Sequence, residues 1–261
     1  MSRTGSRIPP VGGLTWEDVK SKLETETDYK IKPYDDDLDG ALDWKALRFP
    51  GVRQSVLAEF TDPRILIATS SMLEVCNSAD KVEHAAGNIS ATSKELTIVG
   101  GTSSEAGDSW IYWNLPNPAT KVYVHAFMAC EDGGDFAIEF CDGDGSTLAN
   151  PPDRFYILLN IAWSTKDFQL WKAVGDTATD IASEAVDLTS LEYYEVEAYF
   201  DGDGEGNWAI KVWRDGVLKF DLTHSEAEIP SIHSIRFRKH DPSTSAAIKG
   251  LIKGHVVIIY E

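Results

Sequence analysis

The stretch from Glu192 to Leu222, EYYEVEAYFDGDGEGNWAIKVWRDGVLKFDL, constrains the fold of this chain more than any other. Val196, Ala198 and Phe200 alternate with Glu195, Glu197 and Tyr199, the period of two that marks a half-buried strand. The run Asp201-Gly202-Asp203-Gly204-Glu205-Gly206-Asn207 then reverses the chain, because Gly, Asn and Asp accept the backbone angles of tight turns. Trp208, Ile210 and Val212 resume an apolar face, with Lys211 and Trp213 opposite. Arg214-Asp215-Gly216 makes the next turn, since Asp-Gly supplies the positive φ of a two-residue hairpin. Leu218 and Phe220 then point inward again. These residues specify three antiparallel strands in succession.

The same pattern of short alternating runs and turn residues extends from Tyr34 to the end. It predicts strands at Trp44–Phe49, Val56–Phe60, Arg64–Thr69, Leu73–Asn77, Glu95–Val99, Ser109–Trp113, Lys121–Cys130, Phe136–Cys141, Arg154–Ile161 and Phe168–Ala173. Beyond the opening stretch it predicts two more, Ser234–Arg238 and Gly254–Glu261. Turn clusters such as Leu115-Pro116-Asn117-Pro118 separate them. The terminal His255–Tyr260 run is apolar on both faces and therefore belongs centrally in its sheet. Many short strands with almost no helix predict an all-β, two-sheet antiparallel sandwich over residues 34–261. Ahead of it, residues 1–13 read as a flexible arm, and 14–33 as a short amphipathic helix and linker. Thr15 caps that helix, and Trp16, Val19 and Leu23 form its stripe. The stripe needs a surface, either its own sandwich or a partner, another copy or a larger assembly.

Composition narrows the function classes. With 261 residues, 43% of them hydrophobic, the chain fills a large single core. Its net charge of −18 repels phosphate backbones and anionic membranes, so neither nucleic acid nor membrane insertion is expected. No apolar run reaches the ~18–20 residues that span a bilayer. The basic N-terminus lacks the apolar run of a secretion signal, which predicts a cytoplasmic or virion-associated protein. Cys76, Cys130 and Cys141 are odd in number and without C-x-x-C spacing, so all three are expected as free thiols.

Several segments resemble one known superfamily. Tyr34-Asp35-Asp36-Asp37-Leu38-Asp39-Gly40 before Trp44 looks like the opening strand of concanavalin A-like (laminin-G/glucanase-type) jelly-roll sandwiches. Phe136–Phe140, Phe155–Leu159 and Phe168–Lys172 are similar to its middle strands, and Trp208–Leu218 is similar to its "DG" hairpin. The resemblance implies a jelly roll, a superfold that hosts lectins, hydrolases, lyases and structural modules alike. A glucanase of this kind would carry Glu-x-Asp-x-Glu on one strand, with alternate carboxylates on one face. The nearest match is Glu192-x-x-Glu195-x-Glu197, where no Asp intervenes and Tyr199 occupies the next same-face position. Glu195 and Glu197 are therefore weak candidates for catalysis on polysaccharide. No nucleophile elbow, zinc motif, phosphate loop or dinucleotide fingerprint occurs.

Two other chemistries are written into the chain. Asp201, Asp203, Glu205 and Asn207 place oxygens at every second position among glycines, as a calcium loop does, and Asp142-Gly143-Asp144-Gly145 repeats the theme. A plain hairpin turn uses the same residues. The second chemistry is an outer face. If the Phe and Ile positions of the middle strands point inward, Glu139, Tyr156, Asn160, Gln169, Trp171, Glu197, Lys211, Trp213 and Arg236 point outward. Aromatic rings with planar polar groups suit sugars, whose C–H faces stack while their hydroxyls hydrogen-bond. Strand parity assigns faces, not sheets, so these residues belong to one sheet or to two. The expectation is a non-catalytic recognition or assembly module with a glycan or protein partner, of the kind found in viral and phage structural proteins. Polysaccharide hydrolysis and a purely structural sandwich are the rivals.

Overall fold

The computed structural model describes residues 53–61, 63–83, 88–100, 108–147, 152–161, 166–175, 177–240 and 248–261. The arm, the 14–33 helix, the docking and virion readings that rest on it, and the 34–49 segments lie outside the described residues. Fifteen strands are described: β1 (Arg64–Thr69), β2 (Asp80–Val82), β3 (Asn88–Ala91), β4 (Glu95–Val99), β5 (Ser109–Ala119), β6 (Lys121–Cys130), β7 (Asp135–Asp142) and β8 (Asp153–Asn160). They continue with β9 (Asp167–Val174), β10 (Thr177–Ala185), β11 (Tyr194–Gly202), β12 (Asn207–Arg214), β13 (Val217–Ser225), β14 (Ile232–His240) and β15 (Lys249–Tyr260). Two short helices are α1 (Gln54–Leu57) and α2 (Met72–Ser78).

Sheet I runs β13-β12-β11-β6-β15-β4-β3, with β1 also pairing β15; sheet II runs β10-β9-β8-β7-β14-β5-β2. Every pairing among the described strands is antiparallel, giving the two-sheet sandwich expected from the alternation and the jelly roll implied by the resemblance. The opening meander is β11-β12-β13, and its inward residues interleave with sheet II. The Phe140 and Phe200 rings lie 4.3 Å apart across the two sheets, and Phe155 meets Trp208 at 5.9 Å. Each such ring, fully buried, contributes on the order of 2–3 kcal/mol. Asp215 and Gly216 both have positive φ, 50° and 75°, as the hairpin reading requires. Gly206 is needed for a second reason: a Cβ there would sit 2.3 Å from the Glu226 carbonyl oxygen. The three cysteines are free and buried.

The terminal strand β15 is hydrogen-bonded on both sides, between β6 and β4, with β1 continuing the latter edge. Its two apolar faces have different partners. Val256 and Ile258 face the main core, whereas Val257 and Ile259 face a satellite core with Val56, Leu57, Phe60, Tyr123, Tyr199 and Trp213. Residues 53–61 thus lie as a strap across the outer side of sheet I.

Three expectations are corrected. Val56–Phe60 is not a strand: 54–57 is helical, and Val56, Leu57 and Phe60 follow helical spacing rather than alternation. Leu73–Asn77 belongs to α2, whose cap Ser71 accepts from the Glu74 amide and whose buried residues are Met72, Val75 and Cys76. Ser71-x-x-Glu74 has the sequence pattern of a capping box, and that signal outranks the apolar run; the return bond runs through Thr69, whose Oγ1 accepts from the Ser71 amide and donates to Glu74 Oε2. Leu115–Pro118 is not a turn between strands but an unpaired swelling within β5, between Asn114↔Ser234 and Ala119↔Ile232. Proline has no amide to give a ladder and is tolerated at such bulges. The short strands β2 and β3 and the polar strand β10 carry no apolar alternation and were not expected. At the β10 edge, Glu184 is paired with Arg214 (3.1 Å) of β12 and Lys219 (2.7 Å) of β13, so the two sheets are tied along that side.

Candidate functional site: a groove on the outer face of sheet II

The outer face of sheet II carries a cavity of about 490 Å³. Register explains its lining. Glu139 on β7 stands opposite Tyr156 on β8, and Tyr156 opposite Trp171 on β9. One step along, Ala137, Leu158 and Gln169 form the next row, and Asp135, Asn160 and Asp167 the third. Arg154, Arg238 and Ala178 of β10 complete the wall.

A hydrogen-bonded relay orders the β9 side. Trp171 Nε1 donates to Gln169 Oε1 at 2.9 Å, and Gln169 Nε2 donates to Asp167 Oδ2 at 3.4 Å. The Trp171 and Tyr156 rings are nearly parallel, 19° apart with centroids at 6.2 Å. The relay fixes the amide of Gln169, and the neighbouring ring fixes the aromatic surface.

The floor is an ionic network centred on Glu139. Its Oε1 accepts from Arg154 Nε (3.1 Å) and Arg238 Nη1 (3.2 Å), and Arg236 Nη1 lies 3.5 Å from Oε2. Arg238 is held in turn by Asp108. Burial pushes the Glu139 carboxyl up, but the guanidiniums of Arg238, Arg154 and Arg236 outweigh it and hold it at about 2. Glu139 is therefore ionised at neutral pH and has no proton to give as a general acid. Burial pushes the Tyr156 hydroxyl up to about 12, so it remains a neutral donor.

Of the outward residues expected from the sequence, Glu139, Tyr156, Asn160, Gln169 and Trp171 converge on this groove. Arg236 does not reach it: its side chain is 1% exposed, lies over the Trp110 ring, and donates to the carbonyls of Asp144 and Thr147. It braces the floor from the side, on β14 directly opposite Glu139. Glu197, Lys211 and Trp213 are on sheet I, on the opposite side of the sandwich, so of the two arrangements left open by parity the structure has two faces. Asp135, Arg154, Leu158 and Asp167 were missed, although each shares the parity of a residue that was named. Extending the alternation to strand ends would have found them.

The two glutamates weighed for catalysis are committed elsewhere. Glu197 is 2% exposed; its Oε2 accepts from Tyr123 at 2.8 Å, and Arg53 Nε of the strap stands 3.1 Å from Oε1. Arg53 also lies over the Trp213 ring and donates to the Gly216 carbonyl. Glu195 bonds His125 Nε2 at 2.9 Å, and His255 Nε2 lies 2.9 Å from His125 Nδ1. With Glu195 accepting, His125 carries its proton on Nε2 and accepts from His255 through Nδ1.

That line predicts acid sensitivity. Burial, then the neighbouring His255 and Arg53, hold His125 down at about 3, and burial also lowers His255. An unfolded histidine titrates near its ordinary value, so between there and pH 3 the unfolded chain binds more protons. Stability is complete above about pH 6.5 and falls on acidification, by about 2 kcal/mol at pH 5 from His125 alone. Glu195 and Glu197, raised by burial, partly offset this when they protonate. A melting temperature that falls steadily from pH 7 to 5 by calorimetry is expected; a flat profile would refute the buried neutral pair.

The Asp201–Asn207 loop has the geometry of a turn. Asp203 Oδ1 accepts from the amides of Glu205 (2.8 Å) and Asn207 (3.1 Å), and Oδ2 from Asn207 Nδ2 (2.7 Å). Asp201 Oδ2 accepts from the Tyr199 hydroxyl, and Asn207 Oδ1 accepts from Ser225 Oγ. Among the described residues no group of three or more His, Cys, Asp or Glu could hold a metal ion. Because three donors within the loop already engage the Asp203 carboxylate, we expect millimolar calcium and EDTA to give the same melting temperature. A rise with calcium would put a cation in the loop. Among the described residues no helix is long and apolar enough to cross a membrane.

No family model and no curated protein matches this chain. Solved structures similar to it include a carbohydrate-binding module from Bacillus subtilis, at 13% identity over 70% of this chain and 92% of that one, with a TM-score of 0.43. The exoplasmic/lumenal domain of VIP36 in its Ca2+/Man3GlcNAc-bound form is 10% identical over 69% and 82%, with a TM-score of 0.49. A legume lectin-like domain from Entamoeba histolytica is 12% identical over 70% and 89%, with a TM-score of 0.47.

Proposed function

We propose that this chain binds carbohydrate without transforming it, in the groove on sheet II. The observation that carries the reading is the preset pair of Tyr156 and Trp171 beside the Trp171–Gln169–Asp167 relay, in one cavity of about 490 Å³. Sugar rings offer C–H faces to aromatic rings and hydroxyls to amides and carboxylates, and this lining supplies both. Such a cavity takes a short chain rather than a folded protein, which needs about 800 Å² of surface per partner. The central carboxylate is locked as an anion, which suits a scaffold rather than an acid catalyst.

A glycan array followed by calorimetry on the hits tests this, with Trp171→Ala as the groove variant and Lys211→Ala on sheet I as control. Binding lost in the first and kept in the second is expected. Equal binding by both, or no glycan bound by the native chain, would overturn the reading.

A further inference from the structure

Resting on the carbohydrate reading, we infer that the groove selects neutral sugars and rejects anionic ones, although two arginines line it. The reason is the prior engagement of those arginines. Arg238 bonds Glu139 and Asp108, the latter through both Nε and Nη2. Arg154 bonds Glu139 through Nε and the Pro152 carbonyl through Nη1, and its guanidinium lies over Tyr156. Among the described lining residues these are the only cations, and both already face a buried anion.

Recognition of a carboxylate or sulfate requires a guanidinium fork or ammonium that can turn toward it. To provide one here, Arg154 or Arg238 would have to leave Glu139 with its charge buried and underpaired, which is costly. The rest of the charged lining is acidic. Asp135 and Asp167 stand at the far row with Asn160 between them in register, and the chain as a whole carries a charge of −18. An anionic sugar therefore meets repulsion without an available counter-charge. A neutral one donates a hydroxyl to Asp167, whose Oδ1 has no partner among the described residues.

The test uses oligosaccharide pairs of identical linkage that differ only at the exocyclic carbon: β-1,4-mannan and β-1,4-mannuronan, β-1,4-glucan and β-1,4-glucuronan. In whichever stereochemical series binds, calorimetry on the native chain is expected to show the neutral member tighter by about tenfold or more. Asp167→Asn, which leaves the Glu139 network intact, is expected to narrow that gap about threefold or more by strengthening the uronate. A uronate that binds as tightly as its neutral partner, or a gap unmoved by Asp167→Asn, overturns this inference while leaving carbohydrate binding in place. If neither member of any pair binds and the array shows no other glycan bound, the carbohydrate reading itself fails. The two failures are thus distinct.

Discussion

Replacing Glu139 with alanine is expected to lower the stability of the fold by about 3–5 kcal/mol, the cost of removing one partner from a buried ionic network. Three guanidiniums converge on this carboxylate, and Arg236 is fully buried, so its charge cannot simply turn to water when the carboxylate is removed. Glu139→Gln keeps the shape and one acceptor oxygen but loses the charge, and should cost less. Urea midpoints of the native chain and both variants measure this. An alanine variant within 1 kcal/mol of native would mean that the arginines find other partners, Asp108 foremost, and that the floor is not rigid. The network also has an acid limit. Because Glu139 is held down at about 2, its contribution is complete above the ordinary carboxylate range and is lost only as pH falls toward 2. The histidine line fails earlier in the same titration.

Much of this was legible beforehand, and the limits have physical causes. Alternation fixed which side chains point inward, because successive strand residues face opposite ways whatever the tertiary context. It therefore found Glu139, Tyr156, Asn160, Gln169 and Trp171 as one face. It could not tell that Trp213 and Glu197 belong to another sheet, since pairing across a sandwich is set by long-range topology. Nor could it foresee that Arg236 is buried while its neighbour in parity, Arg238, borders the groove: the 143–147 loop folds over one and not the other. Gly145 marks that contact, for a Cβ there would lie 2.4 Å from the Tyr112 ring. The helix α2 was legible in the Ser71-x-x-Glu74 box, and the apolar run Leu73–Asn77 masked it. The strap was harder, because the five residues Val56–Phe60 fit a strand as readily as a turn of helix until something is packed against them.

Trp171→Ala is expected to weaken binding of any cognate glycan by about 30- to 100-fold, the range for an aromatic anchor at the centre of a site. The substitution removes the stacking surface and also the donor that orients Gln169, so two contacts loosen together. Trp171 is only half-buried, and its strand keeps both ladders, so the melting temperature should move little. Trp171→Phe keeps a ring and loses the donor; it should fall between native and alanine. Calorimetric titration of the three proteins separates the two contributions. Native affinity in the alanine variant would place the ligand elsewhere on the molecule.

The tie at the β10 edge has a consequence for how the rim of the groove moves. β10 is polar, exposed and bonded to one neighbour only, the circumstances in which a strand frays by itself. Glu184 instead joins it to Arg214 and Lys219 of the opposite sheet, while the Arg214 guanidinium rests over the Phe168 ring of β9. Opening β10 thus means breaking contacts to β12 and β13 as well. The wall holding Ala178 and the far end of the meander are therefore expected to open as one cooperative unit, with amide exchange in β10 rising and falling with that of β13.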